Sequence, residues 1–398
     1  VLPAARDATV AVVRCNDYAP AEVDAAVRRA IDLAGGIGRF VAPGQRVLLK
    51  PNLLQGQEPE RCVTTHPAVV AAVARVLAEH GCRVVIADSP GGGIVYSEAN
   101  LRRAYARAGY VAAAEETGAV LNYDTGSQIV AFPEGEVMKQ FSIITPAIEA
   151  DAIVVVSKAK THMWTRMTGA AKNLFGLIPG LEKPVFHFRF QDEYAFGRML
   201  VDLNECMKPR LQIMDAVMGM EGDGPQAGSP KKIGAILVGS DYAAVDTVLA
   251  RLIGMEPSEI GSIRSAAERG LLDPAAVRTV GDDPAEFAVP DFQKPSTYAG
   301  GRTGVWRRVM LAVVQRFGRA YAPRPGRDPF FVRRLPEVRT DLPRARDHRQ
   351  GRQGRDRSVA LYPVLLLPRD VHRARHRPFT GPHRKAPRPP ARVRRRPR

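Results

Sequence analysis

The chain has 398 residues, 45% of them hydrophobic, enough for two or three domains and a buried core. Its net charge of +17 is uneven, +22 over residues 301–398 against −5 over residues 1–300, so the basicity says nothing about the partners of the first three quarters. Four cysteines (Cys15, Cys62, Cys82, Cys206) stand far apart, without CxxC or a histidine at ligand spacing, which argues against a disulfide framework or a compact metal knot and reads as the thiols of a cytoplasmic protein.

The opening "VLPAARDATVAVV" lacks the basic start and continuous apolar stretch of a signal peptide, and no later run reaches the roughly 20 apolar residues of a bilayer span. "QRVLLKPN" is the first strand. "THPAVVAAVARVLAEHG" follows with helical spacing, Thr65 as its expected cap and Pro67 in its first turn. "CRVVIADSPGGG" is a strand and loop, and "SEANLRRAYARAG" a helix. "DAIVVVSKAKTH", "LQIMDAV" and "GAILVGSDYAAVDTVLARLIG" complete the series. Such alternation of Val/Ile-rich runs with helical patterns predicts an α/β fold with a mostly parallel sheet and helices on both faces.

Polar residues fall just after the strands: Lys50 and Asn52, Asp88 and Ser89, Lys158 with Lys160 and His162, then Asp215, and finally Asp241 and Asp246 around the last helix. Ligands of open α/β sheets bind outside the carboxyl ends of the strands, so these residues predict one shared site. Alternate residues of a strand share a face, which would point Lys158, Lys160 and His162 the same way. Lys172 and Asn173 follow the small-residue segment "TGAA". Together they describe a cationic centre for a carboxylate or phosphate, with His162 able to move a proton near neutral pH. The plainer alternative is a solvated strand end.

Asp88 suits a ligand hydroxyl, a metal or a helix cap, and "GGG" after it is first of all a turn. Glu221 and Asp223 in "MEGDGPQAG" are further candidate carboxylates. His66 is expected to stabilise its helix start, and His187, among the aromatics of "KPVFHFRF", to be packed.

"LLKPNLL", "THPAVVAAVARVLAEHG", "VVIADSP", "VSKAKTH", "GAAKNLFGLIPG", "IMDAVMGMEGDGPQAG" and "DYAAVDTVLARLIG" resemble, in order, the blocks of the domain of unknown function 362 family, across about residues 8–300. Many members carry a ferredoxin-like segment with [4Fe–4S] cysteine motifs after the α/β body, so the resemblance implies iron–sulfur redox chemistry and an electron-transfer partner. It implies site status for Lys50, Asn52, Asp88, Lys158, Lys160, His162, Lys172, Asn173, Asp215 and Asp246. The expected roles are catalysis for His162, Lys160 and Lys158, substrate binding for Lys50, Asn52, Asp88, Ser89, Lys172 and Asn173, and metal binding for Asp215 and Asp246.

The chain departs from the family where the clusters belong, because residues 339–398 are Arg/Pro-rich and hold no cysteine. Such composition predicts disorder, and no cluster can bind there. Read one nucleotide forward, codons compatible with residues 361–376 give cysteines at Leu361, Val364, Leu367 and Val371, the C-x₂-C-x₂-C-x₃-C spacing of a [4Fe–4S] ligand set. We expect a frameshifted remnant of a ferredoxin-like domain, preceded by a linker helix and extended segment over residues 301–338. The leading function is an iron–sulfur-linked oxidoreductase acting on a small anion. The alternatives are a non-catalytic anion- or metal-binding protein and, less favoured, nucleic-acid binding through the basic tail.

Overall fold

Runs as apolar as "AIVVV" must be covered on both sides, and they are. The computed structural model describes residues 8–190 and 192–298. Its strands are β1 (Thr9–Arg14), β2 (Arg46–Pro51), β3 (Arg83–Ile86), β4 (Val120–Leu121), β5 (Ser127–Ala131), β6 (Gln140–Ile144), β7 (Ala152–His162), β8 (Arg166–Thr168), β9 (Leu211–Glu221), β10 (Ser229–Gly239) and β11 (Arg278–Gly281). The helices are α1 (Pro20–Leu33), α2 (Pro67–Glu79), α3 (Glu98–Arg107), α4 (Tyr110–Thr117), α5 (Thr145–Ile148), α6 (Ala170–Asn173), α7 (Lys183–Arg189), α8 (Glu193–Met207), α9 (Tyr242–Leu252) and α10 (Gly261–Glu268).

Nine strands form one sheet in the order β11-β1-β10-β9-β7-β2-β3-β4, with β8 attached to the end of β7, while β5 and β6 make a separate antiparallel pair. β9, β7, β2, β3 and β4 run parallel, as do β1 and β11. The fold is the expected α/β class with a mostly parallel sheet. One face packs Val47, Leu49, Val154, Val156 and Ile213 against α1, α2, α3 and α4. The other packs Leu48, Val155, Met214 and Leu237 against α6, α8, α9 and α10.

Two expectations need correction. β10 is antiparallel to both of its neighbours. The segment joining it to β9 is only residues 222–228, long enough for a hairpin and too short for a parallel crossover. Asp241 therefore leaves the sheet at the opposite edge from the other charges, where it caps α9 through the Ala243 and Ala244 amides. The cap of α2 is His66, whose Nδ1 accepts from Ala68 N–H at 3.2 Å, and not Thr65. Pro67 forces the residue before it into an extended conformation, which is what an N-cap requires. Thr65 instead donates to Val156 O and accepts from Asn52 N–H, tying the exit of β2 to β7.

The linker and the disordered tail expected over residues 301–338 and 339–398 lie outside the described residues. Among the described residues no helix is long and apolar enough to cross a membrane.

Candidate functional site

The parallel register of β3, β2, β7 and β9 brings their carboxyl ends to one rim. Lys158 on β7 lies directly across from Asp215 on β9, and their charges meet at 2.8 Å with neither side chain more than 1% exposed. Tyr18, just before α1, closes this knot. Its hydroxyl accepts from Lys158 at 2.7 Å and from Met218 N–H, and donates to Asp215 Oδ1 at 2.8 Å. Asp215 Oδ2 also accepts from His66 N–H at 2.9 Å, and the His66 and Tyr18 rings stack at 3.6 Å. Burial, then the Asp215 charge, holds the Tyr18 hydroxyl well above its usual range. Burial pushes the His66 ring down to about 4.

A second knot joins β2, β3 and α6. Lys50 pairs with Asp88 at 2.9 Å and donates to Pro51 O and Asn173 Oδ1, while Asn52 donates to that same Asn173 oxygen. Leu53 N–H fixes Asp88 Oδ2. Burial pulls the Lys50 ammonium down, against the Asp88 charge. Gly176 lies over the pair so closely that a Cβ there would collide with Asp88 Oδ1 and Lys50 Nζ. Asp88 Oδ1 and the Ser89 hydroxyl are buried without a partner, and Lys183 of α7 donates to the Ser89 and Pro90 carbonyls.

Two further lysines, Lys160 beside Asn52 and the partly exposed Lys172 on α6, make no ion pair among the described residues. Lys160, 1% exposed, donates to Asn52 Oδ1 at 2.8 Å and Val63 O at 2.6 Å, both neutral acceptors. Lys172 meets no acceptor among the described residues; its ammonium lies over the Phe175 and Phe196 rings at 5.3 and 5.0 Å. Burial brings Lys160 down to about 7, with the Lys172 and Lys158 charges adding to it, and burial brings Lys172 down to about 7 as well. His162 Nδ1 accepts from the Trp164 and Thr165 amides, so its proton sits on Nε2. Burial, then Lys172, His187 and Lys160, hold that ring well below its usual range and therefore neutral. His187 packs on Phe196 at 4.6 Å.

Thus Lys50, Asn52, Asp88, Ser89, Lys158, Lys160, His162, Lys172, Asn173 and Asp215 are gathered at one rim. The remaining candidates make other contacts, Asp246 beside Lys172, and Glu221 and Asp223 with residues farther along the chain. Asp246 belongs to α9 on the far face from the Asp215–Tyr18 knot, and its oxygens accept from the Ala170 and Ala171 amides at 2.6 and 3.1 Å. Burial lifts it to about 7, against those amides. It lines a cavity of about 10 Å³ together with Lys172 and Glu193. Glu221 and Asp223 hold the amides of Gln293 and Ser296. The expectation that Asp215 and Asp246 bind metal is not met by a ligand set: their oxygens are occupied by ammonium, hydroxyl and amide donors, and no group of three or more His, Cys, Asp or Glu among the described residues is placed to hold a metal ion. Tyr18, Lys183 and Gly176 were not readable as site residues. A lone Tyr and a helical Lys carry no spacing signal, and Gly176 acts only through the space it leaves.

Residues 47–251 match the family model described as Domain of unknown function (DUF362). The chain belongs to this family. All of the rim residues except Tyr18 fall inside that span. The DUF362 chain is also 33% identical over 251 residues to the thylakoid-associated protein sll1697 of Synechocystis sp., covering 63% of this chain and 76% of that protein. A solved structure, the lactate racemase apoprotein from Thermoanaerobacterium thermosaccharolyticum, aligns with a TM-score of 0.40 and 14% identity over 63% of this chain. The DUF362 chain spans 57% of that structure's length.

Proposed function

We propose that this DUF362 chain binds a small anionic molecule at the rim, anchored by Lys160 and Lys172, and exchanges a proton with it. The observation that carries the reading is the charge mismatch. Lys50 and Lys158 each have a carboxylate, whereas Lys160 has only neutral acceptors and Lys172 has none. A buried ammonium without a counter-charge, as at Lys160, is costly, and a bound anion removes that cost; the partly exposed Lys172 adds a second unmatched charge nearby. Groups near 7 also suit proton transfer at neutral pH, which assigns that role to Lys160 and Lys172, with neutral His162 as an N–H donor. Lys158 is committed to Asp215 and Tyr18 and serves as framework.

The redox part of the expectation rests on the family resemblance. The four described cysteines, three of them buried, form no cluster ligand set. Their free thiols suit a reducing compartment, and we place the chain in the cytoplasm on that ground. The nucleic-acid alternative concerns residues outside the described part.

Calorimetric titration of the full chain with phosphate and small carboxylates tests the proposal. Binding that is abolished in Lys160→Met and Lys172→Met supports it. Wild-type affinity in the folded double variant would refute it.

A further inference from the structure

The number of unmatched charges also bears on what the anion is. Resting on the anion-binding reading above, we infer that the natural ligand presents a dianionic head, a phosphate monoester or the paired carboxylates of a small diacid, and not a single carboxylate. Two ammonium groups, those of Lys160 and Lys172, lack a carboxylate. Lys160 is buried and Lys172 partly exposed, and one carboxylate would neutralise one of them and leave the other without a counter-charge. Donors beyond the two lysines point the same way. Thr168 on β8 lies directly across from Lys160 on β7, so their side chains share a face. Its hydroxyl is buried, in a residue 4% exposed, and has no partner. The Ser89 hydroxyl is likewise unpartnered in a residue 1% exposed, and its amide is bonded to the Gly176 carbonyl beside the Lys50–Asp88 pair. Hydroxyls can donate to anionic oxygens, and two hydroxyls with two ammonium groups would saturate the roughly four lone-pair sites of one carboxylate while leaving one positive charge unmatched. A phosphoryl group or a diacid supplies three or four oxygens. Phosphodiesters, with one charge per phosphate, fall on the disfavoured side.

The experiment is calorimetry of the full chain at pH 7 with four probes: inorganic phosphate, malonate, acetate and dimethyl phosphate. Phosphate or malonate is expected to bind at least tenfold more tightly than either monoanion. Lys172→Met should bring dianion affinity down to the monoanion level. Thr168→Val, which keeps the shape and removes the hydroxyl, should weaken the preferred dianion several-fold, with an unchanged thermal midpoint as the folding control. Preference for phosphate assigns a phosphoryl head and preference for malonate a diacid. Acetate binding within threefold of the better dianion overturns the inference while leaving anion binding standing. If none of the four binds, both readings fall.

Discussion

Lys158 and Asp215 are register partners in adjacent parallel strands, and their ion pair at 2.8 Å is closed to solvent by Tyr18 and His66. The strand pairing itself thus sets the geometry of this knot. A buried pair adds little net stability, but removing one partner strands the other charge.

Asp215→Asn is therefore expected to cost about 3–5 kcal/mol, and Asp215→Leu combined with Lys158→Met much less than that. Urea denaturation of the single and double variants measures both, and equal losses would contradict the account.

Gly176→Ala places a methyl group against both Asp88 and Lys50. Separating that pair should lower stability by about 1–3 kcal/mol, the usual cost of overpacking, and weaken anion binding at the adjoining lysines. Thermal unfolding and calorimetry read the two effects separately.

Anion affinity should decline as pH rises through about 7. Lys160 and Lys172 are brought down to about 7 in the free protein, and the anion favours their charged forms. Stability of the ligand-free chain should move in the opposite direction. In the unfolded chain a lysine keeps its proton up to about 10.4, so between about 7 and that value the unfolded state binds more protons and the lysines' share of stability rises with pH. Lys172→Met should flatten this rise while abolishing the pH dependence that Lys172 gives to binding. Denaturant midpoints from pH 6 to pH 9 provide the check.

Asp246 should act on the rim through α6. Asp246→Ala leaves the Ala170 and Ala171 amides unpaired, at about 1–3 kcal/mol each, and loosens the short helix that carries Lys172 and Asn173. Its pH signature has the reverse sign to that of the lysines. The folded carboxyl is lifted from 3.8 to about 7, so its share of stability is complete below about 4 and is lost as pH rises through 7. Asp246→Asn should remove that slope. A wild-type slope in the variant would show that another group titrates there.

The alternation in "SKAKTH", the "KPN" end of β2 and the "DSP" end of β3 were readable because strand-end chemistry follows strand periodicity. Strand direction was not. "GAILVG" looks like its parallel neighbours, and only the short connection before it signals the reversal that carries Asp241 to the other edge. The cap of α2 was misassigned because the conformational demand of Pro67 outranks the usual preference for threonine. Tyr18 and Lys183 could not be found because they reach the rim only through contacts with residues distant in sequence, and the role of Asp246 was not readable because a capping carboxylate and a ligand-binding one look alike in sequence.

β2, β7, β9 and α6 contribute to the rim from positions as far apart as Lys50 and Asp215, with Tyr18 reaching in from still earlier. No proteolytic fragment ending before β9 can hold the complete arrangement. During refolding, protection by an added anion should arise only with the slow closure of the central strands, so ligand-dependent kinetics would report completion of the sheet.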